Sequence, residues 1–261
     1  MKRLGTQDRV GIALLAFVFL ALVGMLALQE SLRDRNRRIE RADVDPTLPS
    51  TRSTLLLLDV TDPLSAVQAE AVRRRLGEME AFEFQRGELV TLCSIGQYPD
   101  GDARSWFRAR VPDRSVNALV ETASRRAARV DSIFSRPLRE ALDQALQPST
   151  AERTGLCAAI KEAADLEGFG PTVPSRRLVL VSDLLENAPG FSLYRVPLDS
   201  TLQALPGWLR RHAANLQGVE VEVLEVPRPN LDASERSALR AFWKAFFERS
   251  GARAVRFRRL P

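Results

Sequence analysis

Leu55-Leu-Leu-Leu-Asp59-Val-Thr-Asp62 and, far downstream, Leu178-Val-Leu-Val-Ser-Asp183-Leu-Leu-Glu186 are near copies. Each is an unbroken apolar run that gives way abruptly to aspartate and a hydroxyl residue. Such a run suits a strand buried on both faces, as in a parallel sheet covered by helices. Its polar end then lies at the carboxyl edge of the sheet, where open α/β folds place their ligand sites. Two acidic strand ends, distant in sequence, are thereby expected to converge on one cation or one phosphate.

Working outward, the chain alternates strands and helices. Thr54 to Asp59 reads as the first strand, and Asp62 caps a helix opened by Pro63, with Leu64, Val67, Ala71, Val72 and Leu76 as its apolar stripe. Glu88 to Ile95 is a second strand. Ala103 to Val111 alternates charged and apolar residues, as an edge strand does. Residues 115–147 are helical in composition, with Pro137 opening a new segment, and 154–166 form a helix rich in small residues. Arg177 to Asp183 is the fourth strand. A loop over 186–200, a helix over 201–215 and a strand from Val219 to Val226 follow. The helix over 232–250 carries Leu239, Phe242, Trp243, Phe246 and Phe247 at helical spacing, as a core-facing stripe would, and Ala254 to Phe257 closes the sheet. This order means an α/β fold with a mostly parallel sheet.

Length and composition fit one such domain. The chain has 261 residues, 45% of them hydrophobic, enough for one sizeable core. Its net charge is +5, but the basic residues are scattered or paired (Arg125-Arg126, Arg176-Arg177, Arg210-Arg211), with few interleaved aromatics and no nucleic-acid motif; no nucleic acid is expected as a partner. Val10 to Leu28 contains no charged residue. At about 1.5 Å per residue it reaches roughly 28 Å, close to the thickness of a bilayer core. Met25-Leu26-Ala27-Leu28-Gln29 offers a poor cleavage site, so a single-pass anchor in the cell (inner) membrane is favoured over a signal peptide. Basic residues flank both ends, and the side faced by the soluble part stays open. The organisation expected is a basic tail (1–9), a transmembrane helix (10–28), a charged stalk (29–52) and one α/β domain (53–261).

Several chemistries are disfavoured. His212 is the single histidine, in a surface-like helix, so a histidine triad or zinc site has no partner for it. Gly168-Phe-Gly170 lacks the lysine and spacing of a phosphate loop. Cys93 and Cys157 both sit in apolar contexts and read as buried free thiols.

What remains is the acidic pair with its hydroxyl neighbours: Asp59, Thr61 and Ser65 around the first strand end, Thr154 at a helix start, and Asp183 after the fourth strand. Hard oxygen donors of this kind suit Mg²⁺. The arrangement resembles the von Willebrand factor A domain and its metal-ion-dependent adhesion site, which has Asp-x-Ser-x-Ser after the first strand, a threonine from a later loop and an aspartate after the fourth strand. Asp59 matches the first aspartate and Thr61 the first hydroxyl. Pro63 stands at the second hydroxyl, with Ser65 two residues late; Thr154 and Asp183 match the remaining two. The resemblance covers residues 53–258. It implies a Rossmann-like three-layer α/β/α sandwich with a short antiparallel edge strand, a degenerate Mg²⁺ site at Asp59, Thr61, Ser65, Thr154 and Asp183, and binding to other proteins in a membrane-associated complex.

Two rivals use the same residues. Haloacid-dehalogenase-like phosphatases also end their first strand in aspartate. That resemblance makes Asp59 a nucleophile, Asp183 and Glu186 the Mg²⁺ ligands, and Lys161 a phosphoryl anchor. Thr61 stands where such enzymes usually carry a second aspartate, and Pro63 leads straight into a helix where they place a flap. The other rival is a domain that keeps the fold as a scaffold without any ligand.

Overall fold

The computed structural model describes residues 19–20, 22–31, 43–95, 104–113, 122–147, 155–188, 191–193, 213–228 and 231–261. The chain divides into a unit ending at Asp43 and a unit from Val44 to Pro261. In the first, residues 22–31 are helical, and Leu22, Val23, Met25, Leu26 and Leu28 are all 46–70% exposed. Among the described residues no helix is long and apolar enough to cross a membrane. The expected span falls partly outside them, at residues 10–18 and 21.

The second unit is built on a six-stranded sheet. Its strands are β1 (Arg52–Asp59), β2 (Leu89–Ile95), β3 (Arg104–Arg110), β4 (Ser175–Ser182), β7 (Glu220–Glu225) and β8 (Ala254–Arg259), in the order β3-β2-β1-β4-β7-β8. All neighbours are parallel except β2 and β3; the alternating stretch is an edge strand, and it runs antiparallel as the resemblance implies. Two short strands, β5 (Asn187–Ala188) and β6 (Phe191–Ser192), pair in what the sequence suggests is plain loop.

The runs of leucine and valine are continuous because both sides of the sheet are covered. Leu55 and Leu57 of β1, with Leu178 and Leu180 of β4, pack beneath α4 (Leu156–Ala164) and α5 (Ala233–Arg249). Leu56, Leu58, Val179 and Val181 pack on the other face beneath α1 (Ala66–Phe82) and α3 (Arg136–Ala145). The result is a three-layer α/β/α sandwich. Phe242, Trp243, Phe246 and Phe247 of α5 are fully buried, with Trp243 and Phe246 edge to face at 5.2 Å between ring centres.

One helix start departs from expectation. Pro63 does not open α1; Ser65 is its N-cap, in a capping box with Gln68, and that reciprocal pair satisfies two backbone N–H groups where Asp62 alone would satisfy one. Pro137 opens a new segment as expected, in the first turn of α3 (Arg136–Ala145). A π-helical turn, Asp131–Ser135, carries α2 (Ala123–Val130) into α3, and the Arg136 N–H donates to the Asp131 carbonyl. The wider turn accommodates a ring that lacks an N–H and would crowd an α-helical one. The expected helix over 201–215 lies outside the described residues up to position 212, and His212 with it.

Candidate functional site at the carboxyl edge of the sheet

Strand order reverses at β1, whose neighbours β2 and β4 lead away in opposite directions. The gap between such strands at their carboxyl ends is the natural ligand crevice of an open sheet. Asp59 and Asp183 lie on its two sides. The register pairs Leu58 with Val181, which places Asp59 beside Ser182. Ser182 Oγ donates to Asp59 Oδ2 at 2.7 Å, while Thr61 donates to Oδ1 through its hydroxyl at 2.6 Å and through its backbone N–H at 3.3 Å. Asp59 is only 6% exposed. Burial, and then the charge of Asp183, raises its pKa above the ordinary carboxylate range.

Asp183 is held by an unusual turn. Leu184, a buried non-glycine residue, sits at φ +67°, in the left-handed region that side chains avoid. Three bonds fix the turn. The Leu184 N–H donates to Ser182 Oγ at 2.8 Å, Trp243 Nε1 donates to the Leu184 carbonyl at 2.7 Å, and the Leu185 N–H donates to Asp183 Oδ1 at 3.0 Å. Burial raises the Asp183 pKa, against the pull of the Leu185 N–H and of Arg228.

Arg228 comes from the end of the next strand, β7, and its guanidinium pairs with both Asp183 and Asp62. Sequence reading does not single it out. The available signal is an arginine between Pro227 and Pro229, directly after a strand. Together Asp59, Thr61, Asp62, Asp183 and Arg228 line a cleft of about 480 Å³, with Pro63 and Ser65 at its rim. Glu186, from the same turn as Asp183, turns away from the cleft. It is fully buried, and its Oε2 accepts from the Cys157 N–H at 2.9 Å. Gly155 at the N-cap of α4 has no side chain to offer, so Glu186 caps the helix from a distance. Its other oxygen has no hydrogen-bond partner among the described residues. Burial lifts its pKa to about 7, despite the Cys157 N–H and with a contribution from Asp59.

The structure thus brings Asp59, Thr61 and Asp183 together. Ser65 lies at the same rim, but its Oγ accepts from the Gln68 N–H at 3.2 Å as the helix cap. Thr154 lies outside the described residues. Mg²⁺ demands near-octahedral oxygen donors. The described side chains as placed do not supply them: both Asp59 oxygens accept hydroxyl protons, Pro63 has no donor, and Asp183 and Asp62 face a guanidinium. Among the described residues no group of three or more His, Cys, Asp and Glu is arranged to hold a metal ion. The phosphatase constellation is not assembled either. Lys161 is exposed on α4, and neither it nor Glu186 lines the cleft. Cys93 and Cys157 are free, buried thiols, the first pushed by burial to about 11 and the second well above its ordinary value.

The sequence matches no protein-family model and no curated protein. Solved structures that align with it include an aerotolerance-related membrane protein from Bacteroides fragilis NCTC 9343, 15% identical, with a TM-score of 0.37 over 78% of this chain and 90% of that one. Proximal thread matrix protein 1 from the mussel byssus aligns at 12% identity and a TM-score of 0.40, over 81% of this chain and 43% of the mussel chain. The same protein with a zinc-occupied MIDAS motif aligns at 11% and 0.40, over 80% and 44%. This chain therefore spans less than half of the mussel protein. Scores this low carry no weight for fold or function, which rest on strand order and site geometry.

Proposed function

We propose that the chain is a membrane-tethered protein-interaction module, a von Willebrand factor A-like domain that engages other proteins through the cleft at the carboxyl edge of its sheet. The observation that carries this reading is the meeting of Asp59, Thr61 and Asp183, from two distant stretches of sequence, at the switch point of a sheet ordered β3-β2-β1-β4-β7-β8. The described lining residues include no histidine, cysteine or lysine beside the acids. A cleft of that composition supports binding over turnover. The tether is the uncharged run 10–28, and the exposed apolar side chains of helical residues 22–31 are what a lipid-facing helix carries.

The test uses the full chain in mild detergent. Pro63→Arg places a bulky charge at an exposed rim position of the cleft and should leave the fold intact. Proteins captured from solubilised membranes by the wild type should fall at least about tenfold with this variant. They should persist when a chelator is added. Equal capture by both would sink the reading, and capture abolished by chelator would favour the Mg²⁺-dependent version of it. Separately, the chain should stay with membranes after alkaline carbonate washing; release would remove the tether.

A further inference from the structure

We propose that Arg228 is the resident cation of this cleft, a tethered guanidinium that stands where the adhesion-site resemblance calls for a divalent ion. This deepens the interaction-module reading and rests on it. An ion in such a site clamps the turn after the first strand to the turn after the fourth. Arg228 makes the same clamp: it joins Asp62 of the β1–α1 turn to Asp183 at the end of β4. It does so from the next strand along, so three successive parallel strand ends, β1, β4 and β7, meet on one charge.

The charge balance of the cleft demands a cation. Asp59, Asp62 and Asp183 all line it, with Glu186 buried close behind Asp59, and Arg228 is the one cationic side chain among the described lining residues. Acids crowded in this way repel one another and resist ionisation unless a positive charge stands between them. A planar guanidinium presents several N–H donors in a fixed fork and can serve two carboxylates at once, where an ammonium offers a single point of charge. Its reach is fixed by the backbone. Pro227 restricts the chain immediately before it, and Gln68 Nε2 of α1 donates to the Pro227 carbonyl at 3.4 Å.

The losses on the metal's side are matched by this gain. Pro63 removes one expected oxygen donor and Ser65 spends its hydroxyl on capping α1. A side chain cannot dissociate as an ion can, so the clamp is independent of the surrounding metal concentration. Partner binding then proceeds without a divalent ion, which is a different mode of recognition from the family the sequence resembles.

Thermal unfolding of the full chain in mild detergent tests this, with chelator and with millimolar MgCl₂ or MnCl₂. The wild type should unfold at the same temperature in all three. Arg228→Ala should unfold about 5 °C lower in chelator, the range expected for stranding a largely buried carboxylate, and should recover part of that loss in Mg²⁺ or Mn²⁺. Arg228→Lys should fall in between and stay indifferent to metal. In an Asp183→Asn background the Arg228→Ala loss should shrink, since the pair is coupled. A wild-type metal response as large as that of Arg228→Ala would overturn the proposal. So would an Arg228→Ala protein that loses no stability, or one that loses it with no metal response, which would make the arginine an ordinary ion pair. Should Arg228→Ala not fold, the wild-type and Arg228→Lys arms decide alone. Because these readouts need no partner, they can fail while the Pro63→Arg capture experiment succeeds, and the reverse.

Discussion

Two charged regions of the sheet behave in opposite ways. Toward the amino ends of β4 and β7, Arg177 and Glu222 meet Arg75 of α1 and Glu83 just beyond that helix. Two arginines and two glutamates alternate, and every charge touches an opposite one. Burial works to raise the Glu83 carboxyl, yet the Arg75 and Arg177 guanidinium groups overcome it and hold the pKa down to about 2. At the carboxyl ends of β1 and β4, acids outnumber their counter-charge: Asp59, Asp183 and Glu186 are all raised, chiefly by burial. The backbone there adds the left-handed Leu184. A balanced network stabilises and asks for nothing more. A crowded, strained set of acids is costly to keep.

Breaking the balanced end should produce the largest effect. Arg75 is 7% exposed and bonds Glu222 at 3.0 Å as well as Glu83. Arg75→Ala leaves both glutamates dependent on Arg177 alone, and should cost about 3 kcal/mol in urea unfolding at neutral pH. The acid limb should change as well. A carboxyl with a lowered folded pKa contributes stability above its unfolded value near 4.5, and loses it as pH falls toward about 2. The wild type should therefore weaken on acidification through that window, and Arg75→Ala should weaken less. A variant that matches the wild type in urea would show that the network is ornamental.

That network also shows what a sequence hides. The apolar runs of β1 and β4, the alternation of β3 and the aromatic spacing of α5 are local patterns, and each was legible because burial imposes a period on neighbouring residues. Asp59 and Asp183 were legible for a related reason, since a charge at the end of a buried run needs a purpose. Arg228 was not. Its partners lie 166 and 45 residues away, and nothing local marks an arginine as paired with either. At the start of α1 the sequence carries two competing helix-start signals, Asp62-Pro63 and Ser65-x-x-Gln68. The second satisfies two N–H groups and wins, which frees Asp62 for Arg228. Glu186, a metal ligand in the phosphatase resemblance, caps α4 instead, and that contact appears only when the turn after β4 is folded.

Glu186 gives the contrast its opposite sign. Its folded pKa, about 7, lies above the unfolded value of 4.5, so the native state holds the proton more tightly. The contribution is fully present below about pH 4.5 and is lost as pH rises through 7. Glu186→Gln keeps an oxygen for the Cys157 N–H and removes the charge. It should stabilise the protein by on the order of 2 kcal/mol near pH 8 and by nothing near pH 4. Combined with the Glu83 limb, the wild type should be most stable in mildly acidic solution, between the two transitions. A flat urea midpoint from about pH 5 to 8 would show that Glu186 is ionised without penalty, and the contrast between the two ends would collapse.

The smallest effect separates a cap from a ligand. Ser65 sits at the cleft rim, where the adhesion-site resemblance invites it to hold an ion, yet its hydroxyl and the Gln68 side chain close a reciprocal box on the first turn of α1. If capping is its whole task, Ser65→Ala should cost about 1 kcal/mol, and Ser65→Asp should restore most of that, because aspartate accepts the same N–H and favours a helix start. The cost should be the same in chelator and in Mg²⁺. A cost that grows when Mg²⁺ is added would make Ser65 a ligand, and would return the ion to a place the geometry gives to Arg228.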